Sequence, residues 1–206
     1  MFLTGAVGPV LYFGTVVVGG LLDPNYNHAA NAISELTMAG VPNKLVLYVL
    51  FLVYNSLIII FGTLLFLHYK RLKNRLMMIV GDLFFFVGLL GCLFLFFPQD
   101  PRGTPLTLGG MMHLVIAGVT SPTTLILMAL TGWVSPKIFG DSKFRYIGYG
   151  MVLVVFLTGG MTAWSVSVES PILGIFERLT IGTFLLGTTI LAVLQWKKTD
   201  EQLRTN

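Results

Sequence analysis

Charge is what this chain has least of. Only 11% of its 206 residues are Asp, Glu, Lys or Arg, against about 25% in a soluble globular domain. That scarcity puts the chain in the membrane class. Cysteine is nearly absent as well. Cys92 stands alone in an apolar run, so it forms no internal disulfide and says nothing about redox compartment. There is no internal repeat, no low-complexity stretch and no sign of a second domain. The net charge of +4 could suggest nucleic acid, but the basic residues lie in short connections between apolar runs rather than along a stripe. That distribution belongs to membrane topology and excludes a nucleic-acid partner.

Apolar sequence is abundant: 55% of residues are hydrophobic, sixteen of them Phe, and the mean hydropathy is +0.83. Six runs reach the roughly 20 residues that cross a bilayer core. They lie near 3–22, 45–68, 76–97, 110–133, 145–165 and 173–196. Lipid offers the backbone no hydrogen bonds, so each run should be a helix; the runs are too long for barrel strands. The expected fold is all-α: a single-domain bundle of six transmembrane helices covering residues 1–206. The first 22 residues lack a basic leader and a small-residue cleavage site, so they read as a retained span.

Orientation follows from Lys and Arg. "KRLKNR" at 70–75, the 134–145 connection and the tail after Trp196 together hold ten of the thirteen basic residues. The positive-inside rule places these segments, and both termini, in the cytoplasm of a prokaryotic plasma membrane. Lys44, Arg102 and Arg178 fall on the outer side. Gly159 with Ala163, and Gly148 with Gly150, are small enough for close helix approach. Ser121-Pro122 should kink the fourth span, with Thr120, Thr123 and Thr124 able to satisfy freed backbone groups. Asp82, in the inner half of span three, is expected to pair with Arg75 or Lys73 or to snorkel, and His68 to sit at the interface.

The sixth span opens "ILGIFERLTIG", with Glu177 beside Arg178. Adjacent helical residues point about 100° apart and cannot neutralise each other, so each needs a partner from elsewhere. The first outer connection, 23–43, is 21 residues long, too long to be structureless. Asp23-Pro24 at its start, and Gly40 and Pro42 at its finish, predict a short amphipathic helix carrying His28, Asn31 and Glu35 on one face. The second, "FPQDPRGTP", brings Asp100 and Arg102, and His113 follows inside span four. Glu35 and Asp100 are the expected partners of Arg178, and His113 or Arg102 those of Glu177. Glu169 and Asp23 read as solvated. Ionisable groups within a membrane are functional more often than not, which sets a pocket slightly ahead of a structural lock.

The segments "NAISELTMAGVP", "FPQDPRG", "MMHLVIAG" and "GIFERLTIG", in this order among six spans, resemble the membrane family known as domain of unknown function 998. Its pattern maps onto Ile33, Ser34, Glu35 and Leu36, onto Phe97, Pro98 and Asp100, onto His113, and onto Glu177 and Arg178. More distantly the chain is similar to DRAM-like and GPI-remodelling six-helix membrane proteins. The resemblance implies that these polar residues belong together, and names no reaction.

Three functions compete. The first is binding of an anionic lipid or lipid-like amphiphile, its head group held by His28, Asn31, Glu35, Asp100, Arg102, His113, Glu177 and Arg178. The second is an intramembrane hydrolase or transferase on a lipid-linked substrate, with His113, Glu177, Glu35 and Asp100 as catalytic candidates. Two histidines and several acids could hold one metal at the His113 cluster, but no metal-binding motif is present and no cofactor is indicated. Ser34 lacks any nucleophile motif around it. The third is a small transporter, disfavoured because the midplane lacks ionisable residues.

Overall fold

A computed structural model describes every residue except Ala39, Pro42 and Asn206, together with the side chain of Thr205. Six helices account for most of it: α1 (Thr4–Leu22), α2 (Lys44–Arg71), α3 (Arg75–Phe96), α4 (Leu108–Phe139), α5 (Lys143–Ser167) and α6 (Leu173–Thr205). All six are long and apolar enough to cross a membrane. The chain is a multi-pass integral membrane protein of all-helical fold.

Local chemistry sets the helix ends. Asn74 caps α3 by accepting a bond from the Met77 amide (3.2 Å), and Thr107 caps α4 by accepting from Gly110 (3.1 Å). Gly140, at φ +78°, closes α4 in the left-handed conformation that glycine adopts without strain. The α4 helix continues through both Pro122 and Pro136. Around Pro122, the hydroxyls of Thr120, Thr123 and Thr124 donate to the carbonyls of Ile116, Val119 and Ser121.

Each helix packs on the next in sequence, and α6 returns against α1 to close a ring. The ring's interior is aromatic and aliphatic, with Phe61, Phe84, Leu127 and Leu185 almost completely buried. Its outside is just as apolar: Val10, Leu45 and Phe156 are each more than 60% exposed. Such a surface suits a hydrocarbon solvent, where outward apolar residues carry no penalty. The tightest seam joins α2 to α3. A Cβ on Gly62 would lie 2.4 Å from the Phe85 amide nitrogen, and one on Gly81 would lie 2.6 Å from that of Phe66. Neither glycine was marked in advance. Of the expected close approaches, Gly148 does meet Gly132 of α4, Gly159 faces only Thr180 at 3.7 Å, and Gly150 faces open space.

The ring has two unlike ends. The basic residues that flank the connections 72–74 and 140–142 lie at one, with the tail; at the other, the described residues of 23–43 fold back over α1, α2 and α6. The α-helix expected in that segment is not there. Instead, a series of turns leads to a five-residue 3-10 helix, Ile33–Thr37. The cause is the local Asx chemistry. Asp23 Oδ1 takes the Asn25 amide (3.0 Å), Asn27 Oδ1 takes that of Ala29 (2.9 Å), and Asn31 Oδ1 takes that of Asn27 (2.8 Å). Side chains that bind nearby amides compete with helical hydrogen bonds. Pro42, the expected stop signal, lies outside the described residues.

Candidate functional site

The folded-back segment is a lid, held by four ionic side chains, Glu35, Arg102, Glu177 and Arg178. Glu35 is the most buried of them, 4% exposed. Its Oε1 accepts from Arg102 Nη2 (2.5 Å), Arg102 Nε (3.0 Å) and the Ala32 amide (3.0 Å); its Oε2 accepts from Asn31 Nδ2 (2.7 Å). Glu35 thus caps its own 3-10 helix while binding the α3–α4 connection to it. Arg102 also donates to the Ala30 carbonyl (2.9 Å), and Ser34 donates to Gln99 beside it.

Glu177 and Arg178 grip the lid from α6. The Glu177 carboxylate accepts the Ile33 amide at 2.5 Å. Arg178 Nη1 donates to the carbonyls of Asn31 (3.0 Å) and Gly174 (2.9 Å), and its Nη2 to Tyr26 Oη (2.5 Å) and His28 Nδ1 (3.2 Å). Neither makes the bond anticipated for it: Arg178 binds neutral groups instead of Glu35 or Asp100, and Glu177 binds an amide instead of His113 or Arg102. A lid running across the top of α6 presents its carbonyls and amides there, and a backbone group is as good a partner as a side chain. Gly174 allows the crossing, because a Cβ there would sit 2.4 Å from the Asn31 carbonyl oxygen.

His28 lies against Gly20 of α1, where an added Cβ would be 2.2 Å from Nε2. A guanidinium cannot accept a hydrogen bond, so Nδ1 must be the acceptor and the imidazole must be neutral. Burial, then the Arg178 charge, holds the imidazole below its ordinary pKa range. Burial likewise pushes the Tyr26 phenol up, although Arg178 works in the opposite direction. Tyr26 also donates to the Ala32 carbonyl at 2.9 Å, tying both ends of the turn series together.

The other candidates stand apart from this grip. Asp100 accepts from the Thr107 amide (2.7 Å) and hydroxyl (2.8 Å) and so shapes the start of α4. His113 is buried; its Nδ1 donates to the Phe97 carbonyl (2.9 Å), with its ring against Phe94. Among the described residues no hydrogen bond joins any two of the catalytic candidates His113, Glu177, Glu35 and Asp100. Nor do any three His, Cys, Asp or Glu group as metal ligands. Asp82 makes neither expected ion pair and is exposed. His68 stacks edge-on with Phe2 and Tyr69.

A family model described as protein of unknown function, DUF998, matches residues 6–194. The chain belongs to the DUF998 family. The match spans all four motifs, from Ile33–Leu36 to Glu177-Arg178. Neither the curated proteins nor the solved structures contain a match to this DUF998 chain. The more distant likeness to DRAM-like and GPI-remodelling proteins gains no support from these comparisons.

Beneath the lid, α1 and α6 diverge into a groove of about 440 Å³. Pro9, Val10 and Phe13 form one wall, Leu179, Gly182 and Leu186 the other, and Arg178 lines it at the lid end. Gly182 leaves the opening, since a Cβ there would already be 3.4 Å from the Phe13 ring. Arg178 Nε is buried and has no hydrogen-bond partner. Pro9, Phe13 and Gly182 carried no functional signal in sequence. Tyr26 was a loop aromatic among Asn residues, noticeable only once the Arg178 position is known.

Proposed function

We propose that this protein binds an anionic membrane amphiphile, with one acyl chain in the α1–α6 groove and an acidic head-group oxygen on Arg178. The observation that carries the reading is Arg178 in the lining of an apolar groove, with its Nε–H buried behind that lining and left without an acceptor. A buried donor without an acceptor costs about 1–3 kcal/mol, so an oxygen brought there by a ligand gains that much. The groove's length fits too. From Arg178 to Thr189 the α6 wall spans roughly 16 Å, about half of a ~30 Å hydrocarbon core. That is the depth of one leaflet.

In a prokaryotic plasma membrane, the basic residues between spans favour both termini in the cytoplasm, which sets the lid and the groove mouth on the outer face. The partner is then an outer-leaflet lipid or lipid-like molecule. Glu35 and Arg102 serve as lid fasteners. His28, Asn31 and Glu177 hold Arg178 and the lid in place, and Asp100 and His113 shape the neighbouring corner.

Native mass spectrometry of protein released from phosphatidylglycerol nanodiscs tests this. Thr183→Trp should fill the groove without touching the lid, and Arg178→Lys should keep the charge while losing the Nε donor. Both should lower retained anionic lipid about tenfold or more, the loss of one charge-assisted bond. Equal retention in all three proteins, or equal retention of phosphatidylcholine, contradicts the reading.

A further inference from the structure

Asp82 lies seven residues past Arg75, the first residue of the 22-residue helix α3. That helix is roughly 33 Å long, close to the ~30 Å thickness of the hydrocarbon core. Asp82 is therefore ~10 Å from the basic end and only ~5 Å short of the helix midpoint. It occupies the centre of the outward face. Val80, Phe84 and Val87 on the opposite side are buried, whereas Ile79, Phe86 and Leu89 around it are exposed by 44%, 40% and 43%. The Asp82 side chain has no hydrogen-bond or ion-pair partner among the described residues. Acids inside membranes face a bundle interior or a water-filled cavity and are paired. An unpaired acid pointing outward implies that something other than lipid covers this face.

We propose that α3 pairs with α3 of a second copy of this chain, Asp82 against Asp82 across a twofold axis along the bilayer normal. Two observations select a second copy. The exposed positions Ile79, Asp82, Phe86 and Leu89, continued by Phe96, are spaced three and four apart in turn, the heptad spacing of a left-handed helix pair. The chain's own cations sit at helix ends, such as Arg71, Arg75 and Lys143, so another face of the same protein brings none to this depth. Copies inserted in one orientation do bring Asp82 to the same level. A protonated carboxyl donates as well as accepts, so in a pair that shares one proton one member donates a hydrogen bond to the other.

Single-molecule photobleaching of the full chain in liposomes, across a range of protein-to-lipid ratios, tests the pairing. It is combined with oxidative cross-linking of Leu89→Cys in a Cys92→Ser background. The expected result is two-step bleaching and a disulfide-linked dimer through position 89. Asp82→Asn should keep the dimer, because the amide also donates and accepts. Asp82→Leu, a change to a residue suited to lipid, should weaken it by about tenfold. Monomers at every ratio, which would leave the face to lipid or to a different protein, overturn the proposal. So does a dimer that cross-links through Val154→Cys on α5 instead, or one indifferent to Asp82→Leu.

Discussion

Four of the five guanidinium N–H groups of Arg178 bind the lid or its own helix, all to uncharged acceptors. The residue is thus a fastener, and only its Nε–H is left without an acceptor. The Glu35–Arg102 pair is a fastener alone. Arg102→Ala would leave the nearly buried Glu35 with only an amide and Asn31, and should lower the unfolding free energy in detergent by about 2 kcal/mol. Part of the cost is relieved by water, because Arg102 is 39% exposed. His28 sets a pH dependence. Its folded pKa lies below the unfolded value of about 6.5. The lid should be fully held above that value and loosen as pH falls below it, when the unfolded or detached segment takes up the proton first. Hydrogen exchange of the Ala29–Glu35 amides at pH 8 and pH 5 reads this directly, and His28→Gln should flatten the difference. Sequence reasoning found the ionic residues of the lid because depth along a span can be counted. It mispaired them because azimuth cannot, and because backbone partners such as the Ile33 amide leave no trace in residue identity.

Helix count and approximate span limits were legible because apolar run length is imposed by the bilayer itself. The C-terminal ends of α4 and α6 extend several residues beyond the expected limits, because the helix continues past the apolar run. The 23–43 segment was misread because its Pro and Gly punctuation suits a helix, while its Asp and Asn side chains recruit amides locally. The α2–α3 seam was missed for a different reason: Gly62 and Gly81 are nineteen residues apart, and only the packing shows that they meet. Gly62→Ala should drive a Cβ into backbone atoms that cannot move aside, lowering stability by about 3 kcal/mol or more. Gly14→Ala, on the open side of α1, should be neutral or stabilise by up to about 1 kcal/mol. Thermal unfolding in one detergent compares the two.

At the scale of the molecule, a closed ring of six antiparallel neighbours leaves little room for a large central chamber. The space among α3, α4, α5 and α6 amounts to about 40 Å³, enough for roughly one water. Room for a ligand exists instead on the flank, where the first and last helices meet under the lid. This geometry suits recognition of a molecule already dissolved in the membrane, entering sideways from its leaflet. A phospholipid with a photoactivatable mid-chain group, cross-linked in proteoliposomes and mapped by peptide mass spectrometry, addresses that claim most directly. Adducts should concentrate on residues 9–13 and 179–186, and excess anionic lipid should suppress them more than zwitterionic lipid. Adducts spread evenly over the outward faces of all six helices, or unaffected by head-group charge, would contradict it.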